Sequence, residues 1–206
     1  MGQIIEFPGQ TSKFGYKRVP KRRRNLEDPS QLPLFPQPTA QILQFTPKLG
    51  AFEQALFLDE RGDPRAVESY VKAIADQDCV ADAFCNWGII ESNQGRTAKA
   101  FDCFTNALKH NPRHSEAHYN LGNMYFEVND FRLAQVHYQI AVEVDPSFPN
   151  VYFNLGLVLS INKETGAAVT ALSNYQELVP ADERKKAEEL FQNLKRSLAE
   201  EKKAKA

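Results

Sequence analysis

The sequence predicts an all-α fold: a solenoid of about four helix-turn-helix units, 47–80, 81–114, 115–148 and 149–180, closed by a helix over 181–206. Three observations predict it. The segments ADAFCNWG (81–88), SEAHYNLG (115–122) and PNVYFNLG (149–156) align without gaps, placing Asn86, Asn120 and Asn154 at a fixed step of 34 residues. Gly88, Gly122 and Gly156 keep that step, as do Ala100, Ala134 and Ala168, and Pro112, Pro146 and Pro180. A fixed interval of this length marks stacked repeats. Within each unit, large or apolar residues recur three, four or seven apart, which is one face of a 3.6-residue helix.

Each element of a unit has a physical reason. The first helices carry Phe84, Trp87, Gly88 and Glu91; His118, Leu121, Gly122 and Tyr125; and Tyr152, Leu155, Gly156 and Leu159. A mid-helix glycine costs up to ~1 kcal/mol relative to alanine, so close approach of a second helix must compensate. The second helices offer Ala100, Phe104 and Ala107; Ala134, Tyr138 and Ala141; and Ala168, Leu172 and Tyr175. The expectation is that the small residues face one another and the large ones flank them. The proline then stops the unit, because it cannot extend a helix from the preceding turn.

Large residue, Leu-Gly, large residue, then Ala, an aromatic, Ala and Pro is the pattern at His118, Leu121–Gly122, Tyr125, Ala134, Tyr138, Ala141 and Pro146. In this the chain resembles the tetratricopeptide repeat (TPR) family. The resemblance implies a right-handed α-α superhelix with a concave, peptide-receiving face. Trp87 stands where Leu is usual, Glu91 replaces an aromatic, and Tyr175 replaces the last Ala. Tyr175 is expected either to open the final helix pair or to meet the C-terminal helix.

Taken in order, residues 1–46 hold six prolines and little helical periodicity, which reads as an extended, disordered tail. Two short motifs lie in it. KRVPKRRR carries Lys17, Arg18, Lys21, Arg22, Arg23 and Arg24, a run suited to nucleic acid or another polyanion, or to nuclear import. The same run could equally solubilise the chain or fold back on an acidic solenoid. QLPLF presents Gln31, Leu32, Leu34 and Phe35, and resembles the peptide with which bacterial replication and repair proteins bind the sliding clamp. Residues 47–80 form an irregular first unit, with Asp63 as N-cap, Pro64 at the first helical position, and Ala66, Tyr70 and Ala73 in the second-helix slots. After Pro180, Ala187, Leu190, Phe191, Leu194 and Leu198 make one apolar stripe, so the last helix caps the stack and its EEKKAKA end frays.

Charge is divided unevenly. Residues 1–50 carry a net +5, residues 51–180 a net −8, and residues 181–206 a net +2. Cys79, Cys85 and Cys103 have no metal or redox spacing, and read as reduced, buried filler. No secretory leader and no apolar run of membrane-spanning length is visible, so the expectation is a cytoplasmic protein, nuclear if its source is eukaryotic.

A second stripe on the first helices includes Asn86, Ile89, Tyr119, Asn120, Asn123, Phe153, Asn154 and Leu157. A surface helix needs one buried stripe, and a partly apolar second one asks for a partner. In TPR proteins this stripe lines the concave groove. The repeated asparagine resembles the asparagine ladder of the O-GlcNAc transferase groove, where amides suit the main chain of an extended peptide. The alternative is that these amides bond neighbouring helices and stiffen the stack. The stripe contains no Lys or Arg, which disfavours an acidic chaperone tail and favours a neutral, apolar or basic peptide.

No phosphate-cradling glycine loop or nucleophile elbow is present, so no catalytic residue, cofactor or small-molecule substrate is expected. His110, His114 and His118 are spaced by four, but Pro112 interrupts the helix a metal site would need, and His118 falls in a packing slot. The expected function is non-enzymatic protein binding in the groove, with no membrane role. The alternative is tethering through the tail.

Overall fold

The computed structural model describes residues 49–204, and the described residues form nine helices joined by short turns. They are α1 (Ala51–Glu60), α2 (Ala66–Ala75), α3 (Val80–Asn93), α4 (Thr97–His110), α5 (Ser115–Glu127), α6 (Phe131–Val144), α7 (Pro149–Ile161), α8 (Thr165–Leu178) and α9 (Ala181–Ala204). Helices pack in consecutive pairs, α1 with α2 through α7 with α8, and each pair rests on the next, giving the TPR type of α-solenoid. Helices α4, α6 and α8 stop two residues before Pro112, Pro146 and Pro180.

The repeated glycines do make room for a neighbour, but the partner differs from the expected alanine. A Cβ on Gly88 would lie 2.7 Å from the Phe104 ring, and one on Gly122 would lie 2.5 Å from the Tyr138 ring. A Cβ on Gly156 would meet Leu172 at 2.7 Å. The small residue therefore receives the large side chain of the second helix, while Ala100, Ala134 and Ala168 are buried beside it. This is knob-into-gap packing, and it explains why the spacing of both residues is kept.

The turn inside each unit is also repeated. Gly62, Gly95, Asn129 and Lys163 have φ of 66°, 74°, 62° and 62°. Each sits just past a first helix, and the next N–H reaches back to a carbonyl: Asp63 to Leu58, Arg96 to Glu91, Asp130 to Tyr125 and Glu164 to Leu159. That is the left-handed helix stop, which satisfies carbonyls the helix leaves open. In the first unit Asp63 accepts from the Arg65 N–H at 3.0 Å, capping a turn ahead of α2, which begins at Ala66. The expected start at Pro64 is thus two residues early, because Pro64 and Arg65 belong to the turn. Ala66, Tyr70 and Ala73 are buried as expected.

Glu91 does not weaken its helix face. It is buried, and the Trp87 Nε1–H donates to it at 2.6 Å, Lys99 Nζ lies 3.0 Å away, and Arg96 Nε donates to its other oxygen. Burial pushes its pKa up, yet the donors from Arg96, Lys99 and Trp87 outweigh that and hold it at about 2. The departure from an aromatic residue is thus compensated by three positively polarised neighbours.

Tyr175 resolves to the second of its two alternatives. It is buried, joins the cluster containing Ala187, Phe191 and Leu194 of α9, and its hydroxyl donates to the Glu183 carbonyl at 3.4 Å. Helix α9 therefore covers the last pair. It stays helical to Ala204, further than the expected fray.

Candidate functional site

Asn86, Asn120, Asn123 and Asn154 are buried on the first helices, and the last three are bonded across units. Asn154 on α7 donates through Nδ2 to Asn123 Oδ1 at 2.9 Å and to the Tyr119 hydroxyl at 3.4 Å, both on α5. The Tyr138 hydroxyl of α6 also donates to Asn123 Oδ1, at 2.8 Å. Asn120 donates to Cys85 Sγ of α3 at 3.5 Å. The bonding between neighbouring helices, weighed above as the alternative, is therefore present.

These bonds use only half of two carboxamides. Asn123 spends its oxygen on two donors, and among the described residues its Nδ2 has no hydrogen-bond partner. Asn120 spends its nitrogen on Cys85, and its Oδ1 has none among them. Both residues have no exposed surface. A buried polar group without a partner costs about 1–3 kcal/mol, so native structures seldom leave two side by side. One donor and one acceptor thus stand three residues apart on one face of α5.

The other stripe residues divide. Asn86 is buried on α3, and Tyr119 packs its ring on Phe148 at 4.7 Å between centroids and on Tyr138 at 6.1 Å. Ile89 belongs to the apolar cluster with Cys85, Ala100, Phe104 and Leu121, so it serves the junction between units. Leu157 is buried, and Phe153 is half-buried with its ring 5.4 Å from that of Tyr175. Tyr138 is the member of this network that the sequence reading did not place on the stripe. A hydroxyl at Tyr138, where the two flanking units have Phe104 and Leu172, was the available signal. The motif residues Lys17, Arg18, Lys21, Arg22, Arg23 and Arg24, and Gln31, Leu32, Leu34 and Phe35, lie outside the described residues.

Comparison with known proteins agrees with this architecture. One sequence model described as a tetratricopeptide repeat matches residues 115–148, and a second so described matches residues 85–128. Residues 85–148 thus match the tetratricopeptide repeat family. The chain is similar to human tetratricopeptide repeat protein 6, at 27% identity over 105 residues, or 51% of this chain and 20% of that relative. It thus spans about a fifth of that relative's length. Among solved structures it is similar to YrrB, a TPR protein with an unusual peptide-binding site, at TM-score 0.55 and 23% identity, covering 63% of this chain and 68% of that one. It is also similar to the first TPR of Spaghetti (RPAP3) bound to an HSP90 peptide, at TM-score 0.53 and 22% identity, covering 58% of this chain and 93% of that one. At these identities the likeness is one of fold.

The remaining titratable groups of this TPR chain are held by packing. His114 accepts from the Ala117 N–H at 3.2 Å, capping α5, and its Nε2 donates to Asp82 Oδ1 at 2.9 Å, which ties α5 to α3. His118 Nε2 donates to the Pro112 carbonyl at 3.1 Å, so its Nδ1 must accept from His137 Nδ1 at 3.0 Å. Burial lowers the pKa of both rings, that of His137 to about 4. Burial also pushes the Cys103 thiol to about 12 and Cys85 well above its usual value, so both stay protonated. Among the described residues no group of ligating side chains could hold a metal ion, and no helix is long and apolar enough to cross a membrane.

Proposed function

We propose that this TPR protein is a non-enzymatic adaptor that holds an extended peptide against the inner wall formed by α3, α5 and α7. One observation carries the reading: Asn120 offers a spare acceptor and Asn123 a spare donor, both buried and adjacent on α5. The N–H and C=O of one residue in an extended chain point to the same side, as they do in a β-ladder. A main chain laid along α5 would satisfy both amides at once, whatever its side chains. The printed descriptions of two fold neighbours, one bound to a peptide and one with a peptide-binding site, support a peptide as the ligand class.

The wall also sets a preference. Asp82 and Glu116 are its charged members near these amides, and no Lys or Arg occupies the stripe. A carboxylate-rich peptide would meet like charge there, whereas a neutral, apolar or basic one would not. In this reading residues 47–180 form the binding unit, α9 closes it, and residues 1–46 are a separate tail.

The test selects binders to the intact protein from phage-displayed random peptides. A selected peptide is then titrated against the wild type, Asn120→Ala and Asn123→Ala by fluorescence anisotropy. Each substitution removes one main-chain hydrogen bond, and weakening of about tenfold is expected. Unaltered affinity in two folded variants would overturn the reading.

A further inference from the structure

The outer side of α6 carries an apolar stripe that the repeat does not require. Leu133 and Val136 are 41% and 47% exposed and stand one turn apart, and Ile140 and Val144 continue the same face, half-buried. At the same slots, 34 residues earlier, α4 has Lys99, Asp102, Asn106 and His110. At the slots 34 residues later, α8 has Ala167, Thr170, Asn174 and Leu178. Packing within the stack is served by Ala134, Tyr138 and Ala141, all buried on the opposite side of α6. The stripe therefore has a separate cause. Two charges bracket it: Arg132 in the first turn of α6 and Glu143 in the last, on one line with Val136. Each opposes its own helix dipole, which is positive at the N-terminus and negative at the C-terminus.

We infer that this face receives a second copy of the chain, with the two α6 helices packed antiparallel about a twofold axis level with Tyr138. The charges favour that occupant, because the stripe is complementary to itself in this one direction. Antiparallel packing sets Arg132 against Glu143 of the second copy, and does so twice. The same register sets Leu133 against the second copy's Val144 and Val136 against its Ile140. Each bracketing charge then lies beside the favourable end of the neighbouring helix. Parallel packing would oppose Arg132 to Arg132 and Glu143 to Glu143, so repulsion at both ends disfavours it. A twofold contact of this kind closes on itself and stops at two copies.

The surroundings suit an interface edge. On one flank Gln135 donates to Glu164 at 3.0 Å and accepts from Asn162 at 2.6 Å, a polar rim whose amides are already satisfied. Glu143 reaches Arg113 of its own chain at 3.9 Å, a long and exposed pair that leaves the carboxylate room for a second cation. Size sets the strength. Helix α6 has 14 residues and so is about 21 Å long. One face of it falls well short of the ~800 Å² per partner of a standard interface, so the dimer is reversible, with a dissociation constant on the order of 10–100 µM. The contact uses residues of a second helix only, and is independent of the adaptor reading.

The test is sedimentation velocity of the full chain from about 1 to 300 µM, a range that brackets that constant. The expected result is a reversible monomer–dimer equilibrium. Leu133→Lys and Val136→Asp give α6 the residues that α4 bears at the same slots, and both side chains are exposed, so helical circular dichroism should be unchanged. Each should weaken the dimer at least tenfold, because a charge replaces apolar contact surface. Arg132→Glu or Glu143→Arg alone should weaken it about tenfold, since both ion pairs become repulsions. An equimolar mixture of those two charge variants should dimerise as well as the wild type, because the mixed pair regains both attractions. A chain that stays monomeric throughout would give the face to a different partner and overturn the inference. So would a dimer indifferent to Leu133→Lys and Val136→Asp, or charge variants that remain weak on mixing.

Discussion

Gly122→Ala isolates the packing rule that builds the stack. The new Cβ would lie 2.5 Å from Tyr138 Cε1, 2.6 Å from Cδ1 and 3.1 Å from Cζ, well inside ordinary contact. The ring cannot swing away cheaply, because Tyr138 has no exposed surface and its hydroxyl is bonded to Asn123. Forcing a methyl into a packed core costs about 1–3 kcal/mol. Against that, alanine gains up to ~1 kcal/mol over glycine in helix propensity. The clash should win, leaving a net loss of about 1–2 kcal/mol and a thermal midpoint lower by roughly 2–8 °C. Thermal unfolding followed by circular dichroism reads this directly. The cause is then checked in a Tyr138→Ala background, where the added methyl has space: there Gly122→Ala should be neutral or stabilising. If Gly122→Ala alone is as stable as the wild type, or if the two changes simply add, ring-against-glycine packing is not what fixes the residue.

Two further outcomes follow from the geometry. Lys163 occupies the left-handed turn position where the first two units use glycine, so Lys163→Gly should stabilise by about 0.5–1 kcal/mol, read from the same melts. His137 has its pKa lowered by burial from 6.5 to about 4, so the unfolded chain binds its proton first as pH falls. Its contribution, at most ~3 kcal/mol, is complete above pH 6.5 and is lost as pH drops toward 4. Urea midpoints measured across that window should fall less in His137→Phe than in the wild type. Equal slopes would refute the assignment.

The repeat architecture was legible because period is a global property: three aligned copies of one pattern fix helix, turn and helix whatever the local propensities. The C-terminal cap was legible for a related reason, since Ala187, Phe191 and Leu194 keep helical spacing and are buried as expected. What faces what was less so. Spacing put Gly122 opposite the second helix, but only three-dimensional packing shows that it meets the Tyr138 ring and not Ala134. Glu91 looked like a flaw on an apolar face because its compensating cations, Arg96 and Lys99, come from the turn and the start of the next helix. The stripe of asparagines was visible, while its division into bonded and spare atoms was not. Which amide atom is used depends on Tyr138 and Cys85, which lie outside the stripe's periodicity or were read as filler.

The carboxamide of Asn123 is shared property. Its oxygen fastens α7 to α5 through Asn154, and on the proposed reading its nitrogen is the group that meets the peptide. If so, turning that amide to suit an incoming chain disturbs the clasp between adjoining repeats. By thermodynamic reciprocity, a peptide bound there would then reset the pitch of the spiral by the same free energy with which pitch alters its grip.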